Sequence, residues 1–141
     1  MNSFLRVAAS FACLLILVCG CSGFFKGKAA ADKAMAEFHQ LYNEGKIAEI
    51  RGAADPKFQS ATSDKEWSDL MAAVQRKLGK VTGTASEGFN VSTHNFTTRV
   101  VLSQKTTFEQ GSGEETFTFE LSGDKARLIG YNIASKELIL R

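Results

Sequence analysis

Three patterns of apolar and polar positions follow one another along the chain. Residues 7–18, VAASFACLLILV, are apolar or small and carry no charge. Residues 29–78 are mixed, with apolar side chains returning every three or four positions. From residue 81 onward the apolar side chains alternate with polar ones. The first pattern is a leader or a buried run, the second is helical, and the third is that of half-buried strands.

The helical part divides into pieces. Ala31, Ala34, Met35, Phe38, Leu41 and Tyr42 form one stripe and predict a helix over 29–44, with Asp32 in its first turn and Gly45 just past its end. Ile47 and Ile50 predict a short second helix at 46–53, which Asp55-Pro56 ends, because the residue before a proline avoids helical backbone. Ser63-Asp64-Lys65-Glu66 has the form of a capping box. It opens a helix whose face is Trp67, Leu70, Met71, Val74 and Leu78, closed by Gly79.

The alternating part predicts strands near 81–93, 96–109, 114–122 and 126–135. Phe96, Val100 and Leu102 share one face of the second. Phe117, Phe119 and Leu121 alternate with Thr116, Thr118 and Glu120 in the third. Ile129, Tyr131 and Ile133 alternate in the fourth. Gly111-Ser112-Gly113 and Ser122-Gly123-Asp124-Lys125 have the composition of hairpin connections. Helices followed by an antiparallel meander define an α+β class. The expected form is N-terminal helices packed on a curved four-stranded antiparallel sheet, with Trp67, Phe38 and Phe117 buried between the layers.

Composition narrows the function classes. The chain has 141 residues, enough for a single domain, and 23% of them are charged. A formal net charge of +2, without a dense Lys/Arg stripe, excludes the electrostatic footprint of a nucleic-acid binder.

The uncharged run 7–18 follows Arg6 and is about twelve residues long, against roughly twenty for a membrane-crossing helix. That predicts a cleaved signal peptide. Val18-Cys19-Gly20-Cys21 resembles the bacterial lipobox, with Cys19 an unusual residue at the middle position. The resemblance implies a lipoprotein signal peptide over 1–20, lipidation at Cys21, and a lipidated tether over 21–28. A single domain over 29–141 follows. Cleavage before Cys21 removes Cys13 and Cys19, which leaves no pair for a disulfide. Ser22, not Asp, follows Cys21. In lipoproteins of this kind that implies the outer membrane, facing the periplasm. In the tether, Phe24 and Phe25 either dip into the lipid interface or pack back onto the domain.

The residues "ADPKFQS", Trp67, "LGKV" and "ARLIGYNIAS", with Phe58, Phe108-Glu109, Phe117 and Gly130-Tyr131, resemble cystatin-like and nuclear-transport-factor-2-like bacterial domains of unknown function. The likeness spans roughly residues 30–137. It implies a fold and no catalytic residue.

Candidate chemistry is sparse. His39 lies between Phe38 and Gln40 without a helical carboxylate partner, and His94 sits in what looks like a turn. Two scattered histidines fall short of the three or four ligands a metal site takes. No nucleophile elbow and no phosphate-cradling loop is present. Tyr42 and Tyr131 would suit a pocket between sheet and helix, but no inward carboxylate is evident to act as base. The Asn90-Val91-Ser92 and Asn95-Phe96-Thr97 matches to a glycosylation pattern are accidental in such a lipoprotein. The expectation is a non-enzymatic envelope module without metal or cofactor. It would be anchored in the membrane through Cys21 and would bind a protein or envelope component. The alternative is a pocket-bearing protein for a small apolar ligand, isomerase-like in kind.

Overall fold

The computed structural model describes residues 21–140. Residues 1–20, for which a signal peptide is expected and which include Cys13 and Cys19, lie outside the described residues.

Among the described residues four helices come first: α1 (Cys21–Asn43), α2 (Ile47–Ala53), α3 (Pro56–Ala61) and α4 (Asp64–Leu78). Four strands follow: β1 (Val81–His94), β2 (Thr97–Phe108), β3 (Gly111–Ser122) and β4 (Lys125–Ala134). A single turn, α5 (Lys136–Ile139), comes last. The strands form one antiparallel sheet in the order β1-β2-β3-β4, and the helices pack on one of its faces.

The caps explain the helix boundaries. Ser63 and Glu66 form the full capping box at the start of α4, each satisfying the other's backbone N–H. Pro56 ends α2 and also opens α3 at a first-turn position, where its missing N–H costs nothing. Asp55 caps that turn by accepting from the N–H of Lys57 at 2.9 Å. The N–H of Asp55 itself donates to the carbonyl of Leu128 on β4. This fastens the start of α3 to that edge of the sheet.

The core lies between the helices and the sheet. Trp67, Phe38 and Phe117 are all buried there, with Phe38 edge-on to both of the others at 6.2 and 5.0 Å. Phe58, Met71, Val74, Leu78, Val100, Leu102 and Phe119 complete it.

The expected tether departs from the pattern read in the sequence. Residues 21–28 continue α1 without a break. Gly27 is buried in that segment, and a Cβ added to it would lie 3.0 Å from Leu121 of β3. The absent side chain lets the helix close on the sheet. Lys28 pairs with Asp32 one turn on, at 2.6 Å, and its ammonium lies 5.1 Å from the centre of the Phe89 ring. Phe24 packs on the same ring. These contacts hold in helical form a stretch that glycines alone would leave extended.

Two further departures concern turns. The β2–β3 connection is Glu109-Gln110, and Gly111-Ser112-Gly113 belongs to β3, where Gly113 sits against Ile133. Phe96 is not on the inward face of β2. It occupies the β1–β2 turn with positive φ and is fully exposed. Leu70, expected on the buried face of α4, is 40% exposed.

Candidate functional site

Strand parity decides which side chains reach the core. Val100, Leu102 and Phe108 of β2 face the helices, and so do Gln104 and Thr106, which share their parity. Phe117 and Phe119 of β3 face the same way, and two residues earlier so does Glu115. Glu115 is 2% exposed and Thr106 is fully buried.

β4 changes parity along its length. Phe119 pairs with Leu128 but Thr118 pairs with Gly130, so Ile129 is the extra residue of a bulge. Ala126 and Leu128 point inward before the bulge, and Tyr131 points inward after it. Tyr131 thereby lies beside Phe38, Phe117 and Trp67, with ring centres 5.0 to 5.8 Å away.

Four polar side chains meet as a result. The Tyr131 hydroxyl donates to Glu115 Oε1 at 2.6 Å. The Thr106 hydroxyl donates to Oε2 at 2.5 Å. His39, from α1, sets Nε2 2.7 Å from the same Oε2. With Glu115 as acceptor, that ring nitrogen carries the proton. Three donors from three elements thus converge on one carboxylate. Phe38 and Phe117 both stand edge-on to the His39 ring and shield it from solvent. Among the described residues, every buried side-chain polar atom has a hydrogen-bond partner.

The electrostatics follow from that closure. Burial pushes the Tyr131 phenol well above its ordinary range, and the Glu115 carboxylate beside it adds to the shift. Tyr42 is raised in the same way, first by burial and then by Glu115 and Glu109. Its hydroxyl donates to the carbonyl of Gly79 at 2.8 Å, not to the cluster.

The sequence candidates are therefore dispersed. The structure brings His39 and Tyr131 together through Glu115. Tyr42 tethers the end of α4, and His94 stands exposed at the end of β1. Glu115 and Thr106 were missed. Extending the Phe117–Phe119 alternation one step back places Glu115 inward, and that was the available signal. Among the described residues, no group of three or more His, Cys, Asp or Glu is placed to hold a metal ion.

The open features lie elsewhere. A groove of about 460 Å³ runs between α1, α2 and the β3–β4 hairpin. Ala34, Leu41, Ile50 and Leu128 contribute apolar lining, while Lys33, Glu37, Asp124 and Arg127 contribute charge. A second hollow, lined by Tyr42, Asn43, Gln75, Lys80 and Glu109, opens beside the end of α4. Glu115, His39, Thr106 and Tyr131 line neither. Among the described residues, no helix is long and apolar enough to cross a membrane.

No family model matches this chain, and no curated protein matches it either. Among solved structures it is similar to Bd1075 of Bdellovibrio bacteriovorus, at 17% identity and a TM-score of 0.48. The match covers 75% of this chain and 40% of that one, so the chain spans less than half of that protein.

Proposed function

We propose that this protein is a lipid-anchored module of the cell envelope that binds a protein or envelope component and catalyses no reaction. Cys21 carries the lipid, and Ser22 directs the protein to the outer membrane, facing the periplasm. The domain itself is of the cystatin-like kind. The contact surface is the groove between α1, α2 and β4. One observation carries this reading. The polar side chains able to do acid–base chemistry are turned on one another in the core, while the accessible hollow has a mixed apolar and charged lining suited to a macromolecular surface.

A second reading stays in play because Glu115, with Tyr131 and His39, is the buried carboxylate that a pocket enzyme of isomerase type would need. It requires a substrate to reach Glu115, and the packing around that residue is closed.

Two experiments test these readings in the host. Cys21→Ser in the full chain is expected to abolish membrane fractionation, while Cys13→Ala and Cys19→Ala leave it intact. Unchanged attachment of Cys21→Ser removes the anchor. In a deletion strain with a phenotype, the pair Lys33→Glu and Arg127→Glu is expected to fail in complementation while folded Glu115→Gln succeeds. The reverse pattern, with Glu115→Gln folded and anchored but inactive, replaces the binding module with the pocket enzyme.

A further inference from the structure

The end of the domain at which α1 begins carries an unusual set of exposed aromatics. Phe24 and Phe89 are each 42% exposed and Phe25 is 64% exposed. Scattered exposed apolar residues are ordinary, but three exposed phenylalanines gathered in one place are not. Phe24 stands between the other two, its ring centre 5.7 Å from that of Phe25 and 5.6 Å from that of Phe89.

We infer that this end is a lipid-facing surface, with Phe24, Phe25 and Phe89 seated in the interface of the membrane to which Cys21 is joined and Lys26 above them among lipid phosphates. The occupant is a bilayer because of where Cys21 stands. Three residues before Phe24 it already belongs to α1, and the helix is continuous from it into the core, so the residue read as lipid-bearing and the aromatic cluster share one rigid element. An acyl chain on Cys21 brings lipid to this level of the molecule. Aromatic rings at the headgroup level with a lysine beside them are the usual composition of an interfacial anchor. The inference rests on the reading of Cys21 as the lipid-bearing residue.

The test uses full-length chain processed in its host, purified in detergent and reconstituted into vesicles of phosphatidylethanolamine and phosphatidylglycerol with brominated acyl chains. Bromine quenches tryptophan emission on contact. Native Trp67 is buried and supplies a constant background. Phe25→Trp is expected to lose most of its added emission in brominated vesicles. Gln110→Trp, in the turn at the far end of β2, is expected to lose none. The mass of the N-terminal peptide from the same preparation reports whether Cys21 carries lipid. Lipid present with unquenched Phe25→Trp overturns the docking face and leaves the anchor standing. Quenching without lipid on Cys21 supports the face and removes the anchor. Emission that ignores bromine but changes with protein density in the bilayer assigns the face to a second copy of the chain and overturns the inference.

Discussion

Glu115 is the residue on which three elements agree. His39 comes from α1, Thr106 from β2 and Tyr131 from β4, and each donates to the same carboxylate. Removing His39 takes away one of three donors to a buried carboxylate, a hydrogen bond to a charged acceptor worth about 1.5–3 kcal/mol. His39→Leu is therefore expected to lower stability by about that amount, and Glu115→Leu to lower it further, because Thr106 and Tyr131 lose the same acceptor. In the double variant the loss is expected to be smaller than the sum of the two. Urea unfolding of the two single variants and the double variant closes the cycle, and additive losses would show that the pair is not coupled. Tyr131 offers a check through pH. Its phenol stays protonated in the fold beyond the ordinary range near pH 10, while the unfolded chain ionises there. The stability it contributes is full below about pH 10 and is lost as pH rises past that value. Tyr131→Phe forfeits a hydrogen bond to a charged acceptor, worth about 1.5–3 kcal/mol. The gap between wild type and this variant is expected to narrow in urea titrations above about pH 10. A constant gap would mean the phenol titrates alike in both states.

Elements with a local signal were legible in the sequence, and those set by tertiary contacts were not. The capping box at Ser63, the chain break at Pro56 and the alternation of β3 are all properties of neighbouring residues, and all three stand in the structure. The N-terminal extension of α1 depends on Leu121 and Phe89, which are far away in the chain. The inward turn of Tyr131 depends on a bulge at Ile129 that has no local marker. Glu115 was readable from parity, yet its histidine partner lies 76 residues earlier, a distance no motif spans. Gly27 tests the account of α1. A side chain there meets a Leu121 methyl at 3.0 Å, so Leu121 or α1 must shift, and Gly27→Val is expected to cost about 1–3 kcal/mol by overpacking. Hydrogen exchange is expected to show the loss concentrated in residues 21–31, and an unchanged exchange pattern would return that segment to the status of a loose tether.

At the scale of the whole molecule, the aromatic cluster is what joins the layers. Phe38 bridges Trp67 of α4, Phe117 of β3 and Tyr131 of β4. Truncating Trp67, Phe38 or Phe117 to Ala is expected to cost about 3–5 kcal/mol each. That is a large share of the 5–15 kcal/mol typical of a domain. Thermal melts near that of the wild type for all three would contradict the layer assignment. The same continuity carries from core to surface. His39 and Cys21 lie on one helix, so the buried cluster and the far end of α1 are parts of one body.

The N–H of Asp55, bonded to Leu128, gives the sheet unequal edges. α3 lies against β4, while β1 on the other side has its outward backbone met only at Val81, by the Asn43 side chain, among the described residues. Growth of a sheet from molecule to molecule needs an open edge on each side of every unit. Two copies meeting edge to edge would therefore pair more readily through β1 than through β4, where α3 stands in the way of an incoming strand at Leu128.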